Sequence, residues 1–264
     1  MRNQRKPERG SFGRCLVQTA DGAVNLLLLT VVLLLLAYGI YALWDSRQVY
    51  AQADADQYEI YKPGEHKESF QELRAINPEV FGWITVYGTG IDYPLTQAED
   101  NDKYVNTDAK GNYSLSGSIF LDCRNSQDFS DAVSILYGHD MVEHKMFGDL
   151  ASFEKKSYFE KHRFGKLYYG DQWHGVEFFA FLEADAYDGT VYAPQLSAAD
   201  LPAFAQMLSK RAEHTRQVDV TPEDHVVLLS TCTQGSTNGR HILAGKITDQ
   251  VEDDPFEHSG KERE

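Results

Sequence analysis

The hydrophobic pattern divides the chain into one long apolar run and a series of short ones. Residues 23–43 read AVNLLLLTVVLLLLAYGIYAL, with Asn25 and Thr30 as the only clearly polar side chains. About 20 apolar residues at the helical rise span the ~30 Å hydrocarbon core of a bilayer. Further on, Phe70, Leu73 and Ile76 recur at helical spacing over 66–76, and Pro78 ends the pattern. The runs that follow have strand character: 82–87 (GWITVY), the nearby IDYPL, 117–121, 132–137, 164–169, 173–183, 225–230 and 241–248. Helical insertions are expected over 146–162 and over 198–213, where Leu201, Phe204, Met207 and Leu208 share a face. Ser197 with Asp200 three residues on predicts a capping-box start to the second. Many short strands with turn signals between them predict a mainly-β domain, a barrel or sandwich, with helices inserted between strands.

Charge gives the long run an orientation. The first 21 residues carry Arg2, Arg5, Lys6, Arg9 and Arg14 against Glu8 and Asp21, and no charge follows until Asp45. Tyr38, Tyr41 and Trp44 gather at the far end of the run, where amphipathic rings favour the interface. The positive-inside rule then places 1–21 as a basic cytoplasmic tail, 22–44 as a transmembrane anchor and the rest outside the cell. A cleaved signal peptide is the competing reading. Its apolar core is shorter, about 7–15 residues, and Ala51-Gln52-Ala53 is a weak cleavage signal. Residues 45–65, polar and with a Pro63-Gly64 turn, are expected as a juxtamembrane spacer, 66–250 as the folded domain and 251–264 as a charged tail.

The net charge is −15, and with +3 in the first 21 residues the presumed external part carries about −18. An acidic body lacks the basic patches that a nucleic-acid backbone requires, so no nucleic-acid partner is expected. Cys15 falls beside the membrane on the cytoplasmic side, as an inert thiol or a palmitoylation site. That leaves Cys123 and Cys232 outside, too few for a disulfide framework, although one bridge between them remains open.

Cys232 ends an apolar strand (VVLLSTC), a polar loop follows, and Arg240 opens the next strand. If the two strands are neighbours, thiol and guanidinium share one cleft. His139 follows another apolar strand in SILYGHDM, with Gly138 allowing a sharp turn. Taken singly, Cys232 is better explained by a buried core thiol and His139 by polar surface. Together the three match acyl transfer. A free thiol near pKa 8.5 is only slightly ionised at neutral pH, an imidazolium stabilises the thiolate and protonates a leaving amine, and a guanidinium stabilises an oxyanion.

These motifs resemble the sortase family. LSTC with Arg240 eight residues on, and LYGHDM upstream, carry the resemblance, and WITVYGTGIDYPL, DNDKYV, GSIFLDCRN and MFGDL are similar to class B. The likeness covers roughly 66–250. It implies an eight-stranded sortase β-barrel on a single-pass membrane anchor at a Gram-positive cell surface, without a cofactor. It also implies a cysteine transpeptidase that cleaves a sorting signal of the LPxTG or NPxTN type after Thr. The acyl group then passes from a thioester on the cysteine to an amino group of a peptidoglycan precursor or pilin. By motif, Cys232 is the nucleophile, His139 the acid/base and Arg240 the oxyanion group. Asn101, Val105, Tyr137, Ser230, Thr231 and Tyr192 are the expected substrate-binding positions. Thr233 departs from the acidic residue of several relatives, and Cys123 is outside the pattern. Glu99, Asp100 and Asp102 lack EF-hand spacing, so no metal is expected. Two other readings of the same residues remain: a surface protease releasing the acyl group to water, and a non-catalytic peptide-binding scaffold.

Overall fold

The computed structural model describes residues 11–64, 67–233 and 237–257. The basic tail before Ser11, His66, residues 234–236 after Cys232 and the end of the charged tail lie outside the described residues, as does the side chain of Cys15. The chain forms two compact units, one up to Gln48 and one from Val49 onward.

The first unit is helix α1 (Ser11–Gln52), which runs on into the first residues of the second. Its apolar side chains, Leu27, Leu34 and Leu35 among them, are exposed all round. A helix of this length and hydropathy is able to cross a membrane.

The second unit is built on β1 (Val80–Val86), β2 (Asp92–Thr96), β3 (Ile119–Leu121), β4 (Val133–Tyr137), β7 (Phe164–Tyr169), β8 (Gln172–Asp185), β10 (His225–Cys232) and β11 (Gly239–Thr248). They form a continuous sheet in the order β11-β10-β4-β3-β2-β1-β7-β8, which closes into an eight-stranded barrel because β11 also pairs with β8. Two pairings are parallel, β2 with β3 and β4 with β10; the others are antiparallel. Sequence patterning does not separate three two-residue strands: the ribbon β5 (Asp140–Met141) and β6 (Lys145–Met146), and β9 (His214–Thr215) on the edge of β8. They are too short for any periodicity.

Each expected strand is present within a few residues of its predicted bounds. Helix α3 (Lys67–Ile76) forms where predicted, as do a 3-10 turn (Gly148–Glu154) followed by α4 (Lys156–Lys161), and α5 (Leu201–Arg211). The capping box does not form: the Ser197 hydroxyl bonds the Asp200 carboxylate at 2.6 Å rather than a backbone N–H. The stretch expected as a spacer differs as well. Much of it is helical, in α1 and in α2 (Asp56–Glu59), and Ala53 and Tyr58 are buried. The Tyr93 hydroxyl bonds the Ala53 carbonyl and Lys145 pairs with Asp54. Two apolar side chains and two polar anchors suffice to fix a segment whose composition reads as linker. The start of the tail is likewise held, with the Phe256 ring 4.9 Å from that of His162 and the Tyr87 hydroxyl on the Glu252 carbonyl.

The core explains the continuous apolar runs. All eight barrel strands send side chains into one cluster, which includes Leu95, Leu136, Val227, Leu229, Leu243 and Phe181. Alternate residues of β10, β11 and β8 (Val226, Leu228, Ile242, Ala244, Leu182) point the other way, into a second cluster closed by Leu201, Phe204 and Leu208 of α5. Strands buried on both faces read as unbroken hydrophobic runs. Each fully buried aliphatic contributes about 1.5–3 kcal/mol. Period-2 alternation then puts Ser230, Cys232 and Arg240 on the outer, α5-side face of the barrel, and Thr231 and His241 on the inner one.

Candidate active site

Three neighbouring strand ends build the site. In the antiparallel β10–β11 pair, Cys232 stands directly opposite Arg240, so their side chains leave one face with Cβ atoms roughly 4.5–5.5 Å apart. On the other side of β10 lies β4, parallel, with Ser230 in register with Tyr137. Cys232 and His139 each follow that pair by two residues, and the Gly138 N–H bonds the Ser230 carbonyl. A parallel pairing is what brings the two C-terminal strand ends to the same edge. The apolar runs are buried between barrel and α5, and α5 does not extend over these ends, so Cys232 is exposed.

One open cavity of about 500 Å³ is lined by Cys232, His139 and Arg240 together with Asn101, Val105 and Tyr137. Tyr192, Ser230 and Thr231 line it too. All nine residues singled out in the sequence therefore meet at one place. Cys123 and Cys232 are both free thiols, which closes the question of a bridge between them.

Several of these side chains are held by defined partners. His139 Nε2 lies 2.8 Å from the Val105 carbonyl oxygen; a carbonyl only accepts, so Nε2 carries the hydrogen and Nδ1 is the other, free-acting nitrogen of the ring. Val105 thus serves the site through its backbone, at the end of a 3-10 turn (Lys103–Val105). The Arg240 guanidinium donates to the carbonyl of Gly239 at 2.8 Å and, at 3.4 Å, to that of Thr237, which folds it back over its own hairpin. The Tyr192 hydroxyl is 2.8 Å from Ser230 Oγ, and its ring stacks on Tyr137 with centroids 6.3 Å apart.

The anchor of this wall is a residue that sequence reasoning passed over. Asp122 is wholly buried at the end of β3, and its carboxylate accepts from Arg124 Nε at 2.8 Å, from an Arg124 terminal nitrogen at 2.7 Å, from the Tyr137 hydroxyl at 2.9 Å and from Asn101 Nδ2 at 3.2 Å. The Arg124 backbone N–H adds a fifth bond at 3.0 Å. Burial alone pushes a carboxyl pKa up; here the bonds from Arg124 and Tyr137 outweigh it and hold Asp122 below the ordinary carboxylate range. Burial, with the Asp122 charge beside it, pushes the Tyr137 hydroxyl pKa up, so it remains a donor. Arg124 and Phe120 also line the cavity. Their signal in the sequence is an acid and a base two residues apart just past an apolar strand (GSIFLDCRN), the same placement that marks Cys232 and His139.

The known proteins that this chain resembles are class B sortases. Sortase B of Listeria monocytogenes is 32% identical over 188 residues, covering 70% of this chain and 76% of that protein. The chain belongs to the sortase family, class B. Among solved structures, sortase B from the type II pilus of Streptococcus pneumoniae shares 44% identity at a TM-score of 0.60, over 69% of this chain and 99% of that one. The Staphylococcus aureus sortase B–substrate complex aligns with a TM-score of 0.67 at 26% identity, over 80% and 99%. No protein-family model matches the chain. The barrel, the apolar N-terminal helix and the membership together make this a sortase-type cysteine transpeptidase, as the motifs implied.

Proposed function

We propose that this sortase cleaves a sorting-signal peptide of the LPxTG or NPxTN type after its Thr and transfers the Thr carbonyl to an amino group, with Cys232, His139 and Arg240 as the working residues. The observation that carries the reading is the convergence of β4, β10 and β11, whose adjacent ends bear imidazole, thiol and guanidinium at one cavity. In the first step the Cys232 thiolate attacks the Thr carbonyl carbon, and Arg240 donates hydrogen bonds to the oxyanion that forms. The C–N bond then breaks, the leaving amine takes a proton from His139, and a thioester remains on Cys232. With Nε2–H on the Val105 carbonyl, Nδ1 is the nitrogen through which that proton moves. In the second step an incoming amine attacks the thioester and gives its proton to His139; the C–S bond breaks and the Cys232 thiolate is restored beside the protonated imidazole.

Asn101, Val105, Tyr137, Tyr192, Ser230 and Thr231 form the groove that receives the signal peptide. Tyr137 and Asn101 are pre-set by Asp122, which lowers the ordering cost on binding. The acceptor is a peptidoglycan-precursor amine or a pilin lysine; the 44% identity to an enzyme from a pilus puts the pilin amine first for testing. The anchor spans the membrane with its basic end in the cytoplasm and the barrel at the outer surface, so that secreted substrates reach the cavity.

The test is cleavage of LPxTG and NPxTN peptides by the full chain in detergent, with and without short glycine, diaminopimelate-type or lysine-bearing amines. Wild type should form an amine-linked product and Cys232→Ala should lose at least ~10³-fold in rate. Hydrolysis alone across all amines would make the protein a protease, and equal cleavage by Cys232→Ala would leave a peptide-binding scaffold.

A further inference from the structure

Behind the active site, on the inner side of the barrel, three potential ligand groups from β11, β8 and a 3-10 turn converge. His241 follows Arg240 on β11 and pairs in register with Glu183 on β8. Glu154 ends the 3-10 turn that begins at Gly148, and its backbone carbonyl is bonded by His214 Nε2 at 2.6 Å. His241 Nε2 lies 3.0 Å from Glu154 Oε1 and 3.3 Å from Glu183 Oε1, and the potential ligand atoms of the three are within 4.8 Å of one another. The His241 side chain is only 5% exposed, while those of the glutamates are 52% and 56% exposed.

The second observation concerns hydrogen bonding. Neither ring nitrogen of His241 makes a hydrogen bond, although two carboxylate oxygens lie within reach of Nε2. Thr231, its cross-strand neighbour, also has a buried hydroxyl without a partner. A buried nitrogen left unbonded costs stability unless something else occupies it, and Nε2 is the one that faces the two carboxylates. The carboxylate oxygens flank Nε2 at a separation that matches two ligands of one tetrahedral ion: zinc–ligand bonds of about 2.0 Å place neighbouring ligand atoms about 3.3 Å apart. One imidazole and two carboxylates suit a borderline divalent cation such as zinc.

We propose that Glu154, Glu183 and His241 bind one divalent transition-metal ion, with zinc as the fitting probe. The ion clips the 3-10 turn, β8 and β11 together one residue away from Arg240. The solvent-facing glutamates leave its fourth position to water, and the site is separate from the thiol cavity on the opposite face of the sheet. It stabilises the fold around Arg240 and takes no part in the acyl transfer. Sequence spacing hid it, because the three residues are far apart and join only through barrel closure.

The test is calorimetric titration of chelator-stripped full chain with Zn²⁺ in detergent, for wild type and Glu154→Gln/Glu183→Gln, with cysteines alkylated in both so that thiols do not compete. The glutamates are exposed and their amides isosteric, so the variant keeps the fold, whereas truncating buried His241 risks losing it. Wild type should show one site that the variant lacks or binds at least 10-fold more weakly. At about 100-fold excess of zinc over Kd, Tm should rise by about 5 °C or more in wild type only. Co²⁺ in place of zinc should give tetrahedral visible absorption in wild type alone. Equal zinc binding by both proteins overturns the proposal, and so does no wild-type binding at millimolar Zn²⁺, which would leave an ion pair of His241 with the glutamates.

Discussion

Replacing Asp122 by asparagine keeps the side chain's shape and removes its charge, which isolates what this buried carboxylate does for the site. It accepts five hydrogen bonds, two of them from the Arg124 guanidinium. An asparagine there has one oxygen, and its NH₂ must face donors. Hydrogen bonds to a charged group contribute about 1.5–3 kcal/mol each, but Arg124 is 48% exposed, so solvent screening discounts its share to about 1 kcal/mol. With the Tyr137 and Asn101 bonds weakened as well, a total loss of about 2–4 kcal/mol is expected. For a domain of this size that is roughly 5–15 °C in Tm.

The assay is thermal unfolding of wild type and Asp122→Asn across pH, with peptide cleavage measured in parallel. The folded pKa of Asp122 is depressed. Its contribution is therefore full above the unfolded carboxyl value of about 3.9, and it is lost as pH falls through the lower folded pKa. The Tm difference should be flat from neutral pH to about 5 and should shrink in stronger acid. Cleavage should weaken mainly through KM, since Tyr137 and Asn101 lose their fixed positions. A variant with unchanged Tm, or a difference that widens toward acid, would refute the reasoning.

Arg240→Ala should lower kcat by about 10²–10³-fold, as expected for one oxyanion donor, with Tm nearly unchanged because its bonds reach only its own hairpin; unaltered kcat would remove the oxyanion role. Gly138→Ala would set a Cβ 2.5 Å from Ile119 Cδ1 and 2.9 Å from the buried Phe147 ring. It should cost about 1–3 kcal/mol by overpacking and displace His139; a melt indistinguishable from wild type contradicts this. Tyr192→Phe removes the bond to Ser230 and keeps the stack on Tyr137. A stability loss of about 1 kcal/mol is expected, and a loss several times larger would mean that the hydroxyl has another structural duty.

The strands were legible because barrel strands buried on two faces leave unbroken apolar runs, as in HVVLLS. The three two-residue strands, the folded character of 49–64 and the packing of Phe256 were not, since each rests on a few contacts to residues far away in the chain. Asp122 stayed hidden for a related reason. Its type and position in GSIFLDCRN are visible, but its importance comes from Tyr137 and Asn101 arriving from other elements.

The sequence by itself determined the apolar helix, the mainly-β pattern and a thiol, an imidazole and a guanidinium each placed beside an apolar run, because hydrophobic periodicity and residue chemistry are local properties. The tertiary structure alone decided that β4 lies parallel to β10 and that β11 closes the barrel against β8. Those pairings are long-range, set by which faces bury together. They bring His139 and Arg240 to either side of Cys232, and they leave Glu154, Glu183 and His241 facing one another behind it.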